Sequence, residues 1–382
     1  MIVFVILALA YAHIWFDYQR APRLGKVYTD NRKLPFVSVM IPARNEQQNI
    51  ANCLDGLLKQ DYPDFEILVI DDGSEDKTFE IASEYAKKYP SIRVLKCPEK
   101  PSGWLGKSFA LHYAVSQAKG DYFAMIDADV SMSPHIISRV MYYALENKIA
   151  LVSLLPTLKN INFWENAVQP VMGFMIVLSH PMYKVNDPAS SRVVANGQFL
   201  LFERNAYFKI GGHEAIKSEL VEDVELARST KNHNLPYALV LALDDMQTRM
   251  YESLYGIWRG WGKSIYPYIQ ENPVKLWLGL FSLFIVFMFP FFTFLRVGLN
   301  FLSVYSAYNY ISFAMLKTLL YNSAVVLLIY IIAVLARGHM NQKRIYAIFF
   351  PIAFAILFAL FLTRTYDAIF KKGVMWKGRI YQ

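Results

Sequence analysis

Two aspartate pairs, each at the end of an apolar run, are the residues of this chain best placed for chemistry. Asp71-Asp72-Gly73-Ser74 follows Phe65-Glu66-Ile67-Leu68-Val69-Ile70, and Asp127-Ala128-Asp129 follows Tyr122-Phe123-Ala124-Met125-Ile126. Such runs read as buried strands of a parallel sheet, and open α/β sheets bind ligands beyond the carboxyl ends of their strands. Asp127 and Asp129 flank one residue, so on an extended segment both side chains point to one side. Carboxylates that close repel each other unless a cation sits between them. A divalent cation there, Mg2+ or Mn2+, can in turn hold a diphosphate. A turn is the plainer account of Asp-x-Asp, since aspartate is common in loops; its place directly after an apolar run favours the metal. Asp72 then contacts the ribose or base of a nucleotide, while Asp71 can simply orient the turn made by Gly73 and Ser74.

A third acidic landmark is Glu222-Asp223, in Leu220-Val221-Glu222-Asp223-Val224-Glu225-Leu226-Ala227, a stretch that reads as the start of a helix. Acidic residues there are stabilised by the helix dipole, which is the bland account. The chemical account makes Asp223 a general base that takes a proton from an acceptor hydroxyl. An aromatic and basic cluster, Trp258-Arg259-Gly260-Trp261-Gly262-Lys263, closes the series. It reads as an aromatic belt at a membrane surface or as Arg259 or Lys263 on a leaving diphosphate, and the two are compatible. Gly103-Trp104-Leu105-Gly106-Lys107-Ser108 imitates a phosphate-binding P-loop, but Pro101 stands where that motif needs its first glycine. An NTPase is thereby excluded, and Lys107 remains as a point charge for a phosphate.

The elements that must position these groups repeat as strand, loop and helix over residues 37–245. Val37-Ser38-Val39-Met40-Ile41 is a strand ended by Pro42-Ala43-Arg44-Asn45-Glu46, and Asn45 is expected to cap a helix that buries Ile50, Cys53, Leu54, Leu57 and Leu58. Residues 76–88 read as a helix, 92–95 as a strand running into a Pro/Gly loop that ends at Gly106-Lys107-Ser108, and 109–118 as the next helix. Alternation of this kind implies an α/β fold, a mostly parallel sheet with helices on both faces.

The 382 residues as a whole are apolar, 55% hydrophobic, 15% aromatic and only 18% charged, and the stretches outside that domain are membrane-like. Residues 276–297, 314–336 and 345–363 approach or exceed the run of about 20 that covers a roughly 30 Å hydrocarbon core. Residues 163–183, interrupted by Pro170, Gly173 and Pro181, read either as an interfacial helix guiding a lipid acceptor or as a buried core helix. Residues 2–16 are largely apolar and are followed by Arg20, Arg23 and Lys26, the pattern of an uncleaved anchor with a cytoplasmic flank and not of a signal peptide. The domain order is therefore an anchor at 1–18, a catalytic domain at 35–265, transmembrane helices at 276–363 and a basic tail at 364–382. Three crossings would leave that tail outside, against the positive-inside tendency, unless one C-terminal segment does not cross or 301–311 helps make a further pass. The net charge of +8 shows no nucleic-acid-binding module, so anionic lipid is the expected partner and nucleic acid is not. Cys53 and Cys97 have no metal or disulfide spacing and fit a reducing compartment.

With these residues assembled, the chain resembles the membrane-bound family 2 glycosyltransferases of the GT-A fold. Val39-Met40-Ile41-Pro42-Ala43-Arg44-Asn45-Glu46 resembles that family's opening strand and nucleotide loop, Asp71-Asp72-Gly73-Ser74 its second nucleotide motif, and Asp127-Ala128-Asp129 its metal motif. Asn205-Ala206-Tyr207-Phe208-Lys209-Ile210-Gly211-Gly212-His213-Glu214 resembles the acceptor-side segment, and Glu222-Asp223 the catalytic base. Gly103 to Ser108 and the ending Trp376-Lys377-Gly378-Arg379 are similar to the carotenoid- and hopanoid-associated branch. The resemblance implies a nucleotide-diphosphate sugar, UDP-linked in the first place, held by Pro42, Ala43, Arg44, Glu46, Asp72, Lys107, Asp127, Arg259 and Lys263. It further implies Mg2+ or Mn2+ on Asp127 and Asp129, Asp223 and Glu222 in catalysis, a lipid acceptor, and a multi-pass protein of the plasma membrane with its catalytic domain in the cytoplasm. Polysaccharide synthases carry Gln-x-x-Arg-Trp where this chain has Arg259-Gly260-Trp261, so one sugar per lipid is expected and not a polymer. A transferase acting on polyprenyl phosphate, or a silent membrane scaffold, are the alternatives.

Overall fold

The computed structural model describes residues 2–25, 34–271, 273–370, 374–376 and 379–381. Lys26 of the N-terminal basic flank, and Lys371, Lys372, Lys377 and Gly378 of the tail, lie outside them. The described chain divides into two units, one built on residues 20–159 and 180–250, the other on residues 1–19, 160–179 and 251–382.

The first unit holds strands β1 (Val37–Ala43), β2 (Phe65–Asp71), β3 (Ile92–Lys96), β4 (Tyr122–Ile126), β5 (Val130–Met132), β6 (Leu151–Leu155), β7 (Thr157–Leu158), β8 (Phe199–Glu203), β9 (Tyr237–Leu241) and β10 (Met246–Thr248). Seven of them form one sheet in the order β3-β2-β1-β4-β8-β6-β9, and β5-β10-β7 form a small second sheet. β1 and β2 are buried along nearly their whole length, as strands covered on both faces must be. Val39, Ile41, Ile67, Val69, Ala124 and Ile126 share one core with Ile50, Cys53, Leu54 and Leu57 of the helix Ile50–Leu58 and with Ile136, Ile137, Val140 and Met141 of the helix Ile136–Asn147. Burying each large aliphatic side chain stabilises by about 1.5–3 kcal/mol, which holds the strand ends in register for the site.

One strand departs from the parallel pattern. β8 runs antiparallel to both β4 and β6, with its first residue, Phe199, paired with the last of β4, Ile126. The chain therefore enters β8 at the carboxyl edge of β4, and residues 196–198 arrive where Asp127 begins. Gly106, Lys107 and Ser108, expected in a loop, instead make the first turn of the helix Gly106–Gln117. Asp127-Ala128-Asp129 is a turn between β4 and β5 and not an extended segment.

Among the described residues of the second unit, three stretches are long and apolar enough to cross a membrane: Leu276–Tyr308, Phe313–His339 and Arg344–Ile369. The expected span 276–297 is not one straight helix. Pro273–Phe287 stops at Met288, and Phe289–Tyr308 starts afresh with Pro290 in its first turn, where the missing N–H is tolerated. Residues 163–179 do form a helix, Phe163–Ser179, with Pro170 inside it. Proline leaves the carbonyl four residues back without its helical donor. Here that carbonyl is Asn166 O, and the buried Arg337 supplies the donor at 2.8 Å, with a second bond to Ala167 O at 3.1 Å. Arg337→Leu strands this carbonyl in an apolar surround, and a loss of about 1–3 kcal/mol, read as a lower melting temperature in detergent, is expected.

Candidate active site

The carboxyl ends of β2, β1 and β4 lie side by side, so Asp71-Asp72, Pro42 to Glu46 and Asp127 share one edge of the sheet. The loops after β1 and β2 are laced together there. Asn45 N–H donates to Ser74 Oγ (3.1 Å), Glu75 N–H to Asn45 Oδ1 (2.9 Å), Glu46 N–H to Thr78 Oγ1 (2.7 Å) and Gln47 N–H to Asp76 Oδ2 (3.2 Å). Asn45 consequently does not cap the following helix, whose cap position is Asn49; it sits at φ 56° and braces the neighbouring loop. Asp71 accepts Ser74 N–H at 3.3 Å, which orients the turn around Gly73 at φ 69°. Asp72 is half-buried at the tip of that turn, and its N–H bonds Ala43 O at 2.9 Å.

Lys107 joins the second and third acidic landmarks. Its Nζ lies 2.7 Å from Asp127 Oδ1 and 3.0 Å from Glu222 Oε1, and donates to Gly197 O at 3.3 Å. Burial works against the Lys107 charge, but the Asp127 and Glu222 carboxylates outweigh it and hold the ammonium above its ordinary range. Asp223 sits in the first turn of the helix Glu222–Asn232, as expected. Its Oδ2 accepts Gly197 N–H at 2.6 Å and its Oδ1 accepts Val224 N–H at 2.9 Å. Burial, and then the charge of Glu222, push the Asp223 carboxyl up to about 6, into the range of a usable base.

Gly197 was not singled out in the sequence, yet its two backbone groups bridge Lys107 and Asp223. A Cβ there would lie 3.1 Å from Lys107 Nζ and 3.2 Å from Asp223 Oδ2, tight enough that both side chains would have to shift slightly. Gly197→Ala is expected to lower turnover roughly 10-fold or more by displacing them, with a much smaller change in melting temperature. His213, within the quoted Gly211-Gly212-His213 run, is a second residue that the sequence did not single out. It is fully buried, and its Nδ1 pairs with Tyr207 OH at 2.8 Å. Burial pushes it down to about 3, although Glu222 pulls the other way, and the ring is neutral.

Asp129 Oδ1 is buried with no hydrogen-bond partner among the described residues. Its carboxyl is pushed up to about 7 by burial and then by the charges of Asp127 and Glu46. An orphaned oxygen among crowded carboxylates suits a hard divalent cation. No group of three or more potential protein ligands comes together among the described residues, and two carboxylates completed by substrate phosphates are what Mg2+ takes. The donor set fits.

Arg259 and Lys263 lie on the helix Leu254–Glu271 of the second unit, and their expected diphosphate contact stands on the sequence alone. Arg259 stacks over Tyr255 at 5.4 Å and reaches its hydroxyl at 3.3 Å.

Residues 38–208 match the family described as glycosyl transferase family 2. A 4,4'-diaponeurosporenoate glycosyltransferase of Staphylococcus aureus (strain USA300) is 25% identical over 266 residues, 69% of this chain and 68% of that protein. Among solved structures, the mannosyltransferase PcManGT from Pyrobaculum calidifontis, determined in complex with GDP-Man and Mn2+, superposes with a TM-score of 0.55 at 18% identity, over 96% of this chain and 98% of that one. The family match spans the loops after β1, β2 and β4 and stops short of Glu222-Asp223. Residues 38–208 are thus similar to the glycosyl transferase family 2 domain, and the chain shares its fold with a solved glycosyltransferase.

Proposed function

We propose that this protein transfers a single sugar from a nucleotide-diphosphate sugar to a lipid-like acceptor, with inversion at the anomeric carbon and with Mg2+ or Mn2+. The observation that carries the reading is the chain of contacts Asp127–Lys107–Glu222 and Lys107–Gly197–Asp223 at the carboxyl edge of the sheet. It gathers acidic, basic and backbone groups of distinct chemical use in one place. Pro42, Ala43, Arg44, Glu46 and Asp72 hold the nucleotide, and Asp127 and Asp129 hold the cation. When bound, the cation supplies Lewis-acid neutralisation of the departing diphosphate. Asp223 aligns an acceptor hydroxyl and takes its proton on a carboxylate oxygen, for in-line attack on the sugar. Glu222 keeps Lys107 beside the phosphates.

The name of the Staphylococcus aureus relative supports an apolar acid as acceptor. A carboxylate has no proton to lose, and Asp223 would then only position it. The three apolar stretches support a membrane location. Arg20, the last residue of the helix Ile2–Arg20, and Arg23 just beyond it favour the plasma membrane with the catalytic domain on its cytoplasmic side.

A thermal-shift titration with UDP and GDP, each with and without Mn2+, tests the reading. One nucleotide at about 100 times its Kd is expected to stabilise by about 2.7 kcal/mol, and chelator is expected to abolish the gain. Absence of stabilisation by either nucleotide with Mn2+ present overturns it.

A further inference from the structure

Lys107 sits on one of the two oxygen sets that the cation needs. Its ammonium has three N–H bonds, and three acceptors surround it: Asp127 Oδ1 at 2.7 Å, Glu222 Oε1 at 3.0 Å and Gly197 O at 3.3 Å. It projects from the first turn of the helix Gly106–Gln117, where the helix dipole adds further positive character. A divalent cation on Asp127 would therefore face a fixed unit charge at about the same oxygen. Opposing that, Asp129 Oδ1, without a partner, offers the cation a place that the ammonium does not reach.

We propose that Lys107 is an exchangeable counter-ion: it competes with the divalent cation for Asp127, and it yields when a nucleoside diphosphate gives its ammonium a replacement partner. This rests on the proposed function. Two consequences follow from charge alone. The cation by itself binds weakly, because Lys107 must be pushed from Asp127 with Glu222 as its one remaining carboxylate contact beside the Gly197 carbonyl. Cation and nucleoside diphosphate bind with positive coupling, and the coupling is reciprocal. The device ensures that the cation is taken up together with the donor and not alone.

A lysine that merely holds the acidic landmarks together makes the opposite forecast, since its removal would let the carboxylates spread and would weaken cation binding. The two accounts separate in a titration of Mn2+ alone on the full-length protein in detergent, followed by the same titration with UDP and with GDP. Lys107→Met is expected to bind Mn2+ alone about 10-fold or more tighter than wild type, because a like charge within about 4 Å is gone. Its affinity for Mn2+ is expected to gain much less from the nucleotide. Lys107→Arg keeps the charge and is expected to keep the weak binding of Mn2+ alone, which guards against a general loss of structure in the Met variant; melting curves of all three proteins accompany the titrations. Equal or weaker binding of Mn2+ alone by Lys107→Met, or no binding to either protein, overturns the proposal. Failure of both nucleotides to bind wild type would instead remove the transferase reading, while the comparison of Mn2+ alone still decides the role of Lys107.

Discussion

Asp223→Asn is expected to lower turnover on a hydroxyl acceptor by about 10²- to 10⁴-fold, the range for loss of a positioned general base. The substitution is nearly isosteric, and Asn can still accept the Gly197 N–H that Asp223 Oδ2 accepts at 2.6 Å. Binding of the nucleotide and the cation is therefore expected to survive, so the loss falls on kcat and not on KM. With Asp223 as the proposed base, the ionised carboxylate is the active form, so the rate is expected to rise with pH through about 6 and then level, and the variant is expected to lack that limb. Stability moves the other way. The carboxyl is pushed up to about 6 in the folded protein, above its value of about 3.9 in an unfolded chain. Its contribution is therefore fully present below about pH 4 and is lost as pH rises through about 6. Asp223→Asn removes this term, so at pH 7 the variant is expected to melt no lower than wild type while being nearly inactive. A carboxylate acceptor separates the roles: near-normal transfer to an acid with lost transfer to an alcohol identifies proton removal as the function of Asp223. Full turnover of the variant with an alcohol would take Asp223 out of the chemistry.

How much of this was readable beforehand follows from where the information lies along the chain. β1, β2 and β4 are apolar runs buried on both faces, and a run of that kind announces itself locally. So does the helix Ile50–Leu58, whose buried Ile50, Cys53, Leu54 and Leu57 recur at helical spacing. The direction of β8 is not written in its own residues, because it depends on which strands it lies between. Asn45 was misread for a similar reason: asparagine serves caps and left-handed turns alike, and the choice was made by Glu75 on the adjacent loop. Gly197 shows the limit most clearly. Its importance comes from Lys107, 90 residues before it, and Asp223, 26 residues after it, and a glycine carries no side-chain signal of its own. The break at Met288 did have a local sign in Pro290, hidden by a hydrophobic run that continues across it.

Asp129→Asn is expected to abolish the response to Mn2+ and to lower turnover by roughly 10²- to 10³-fold, the scale of one lost electrostatic stabiliser of developing charge. The argument begins from an oxygen with nothing to hold. Asp129 Oδ1 is buried without a hydrogen-bond partner, although buried polar atoms are nearly always satisfied and an unmade bond is destabilising. Asp127 and Glu46 add like charge to the same place. A site that stores repulsion and an unmet acceptor is strained in its own right, and a divalent cation relieves both at once. Asn removes the charge and keeps the shape. The variant is therefore expected to be at least as stable as wild type in chelator, yet to gain no melting temperature from Mn2+ in the presence of a nucleoside diphosphate, while wild type gains several degrees under the same titration. Asp127→Asn gives an internal contrast, because that substitution also breaks the 2.7 Å ion pair with Lys107. It is expected to lose the Mn2+ response and to fall in stability as well, since Lys107 is left with one carboxylate, Glu222, beside the Gly197 carbonyl. Should both variants respond to Mn2+ like wild type, the cation lies elsewhere and the edge between β4 and β5 has some other use.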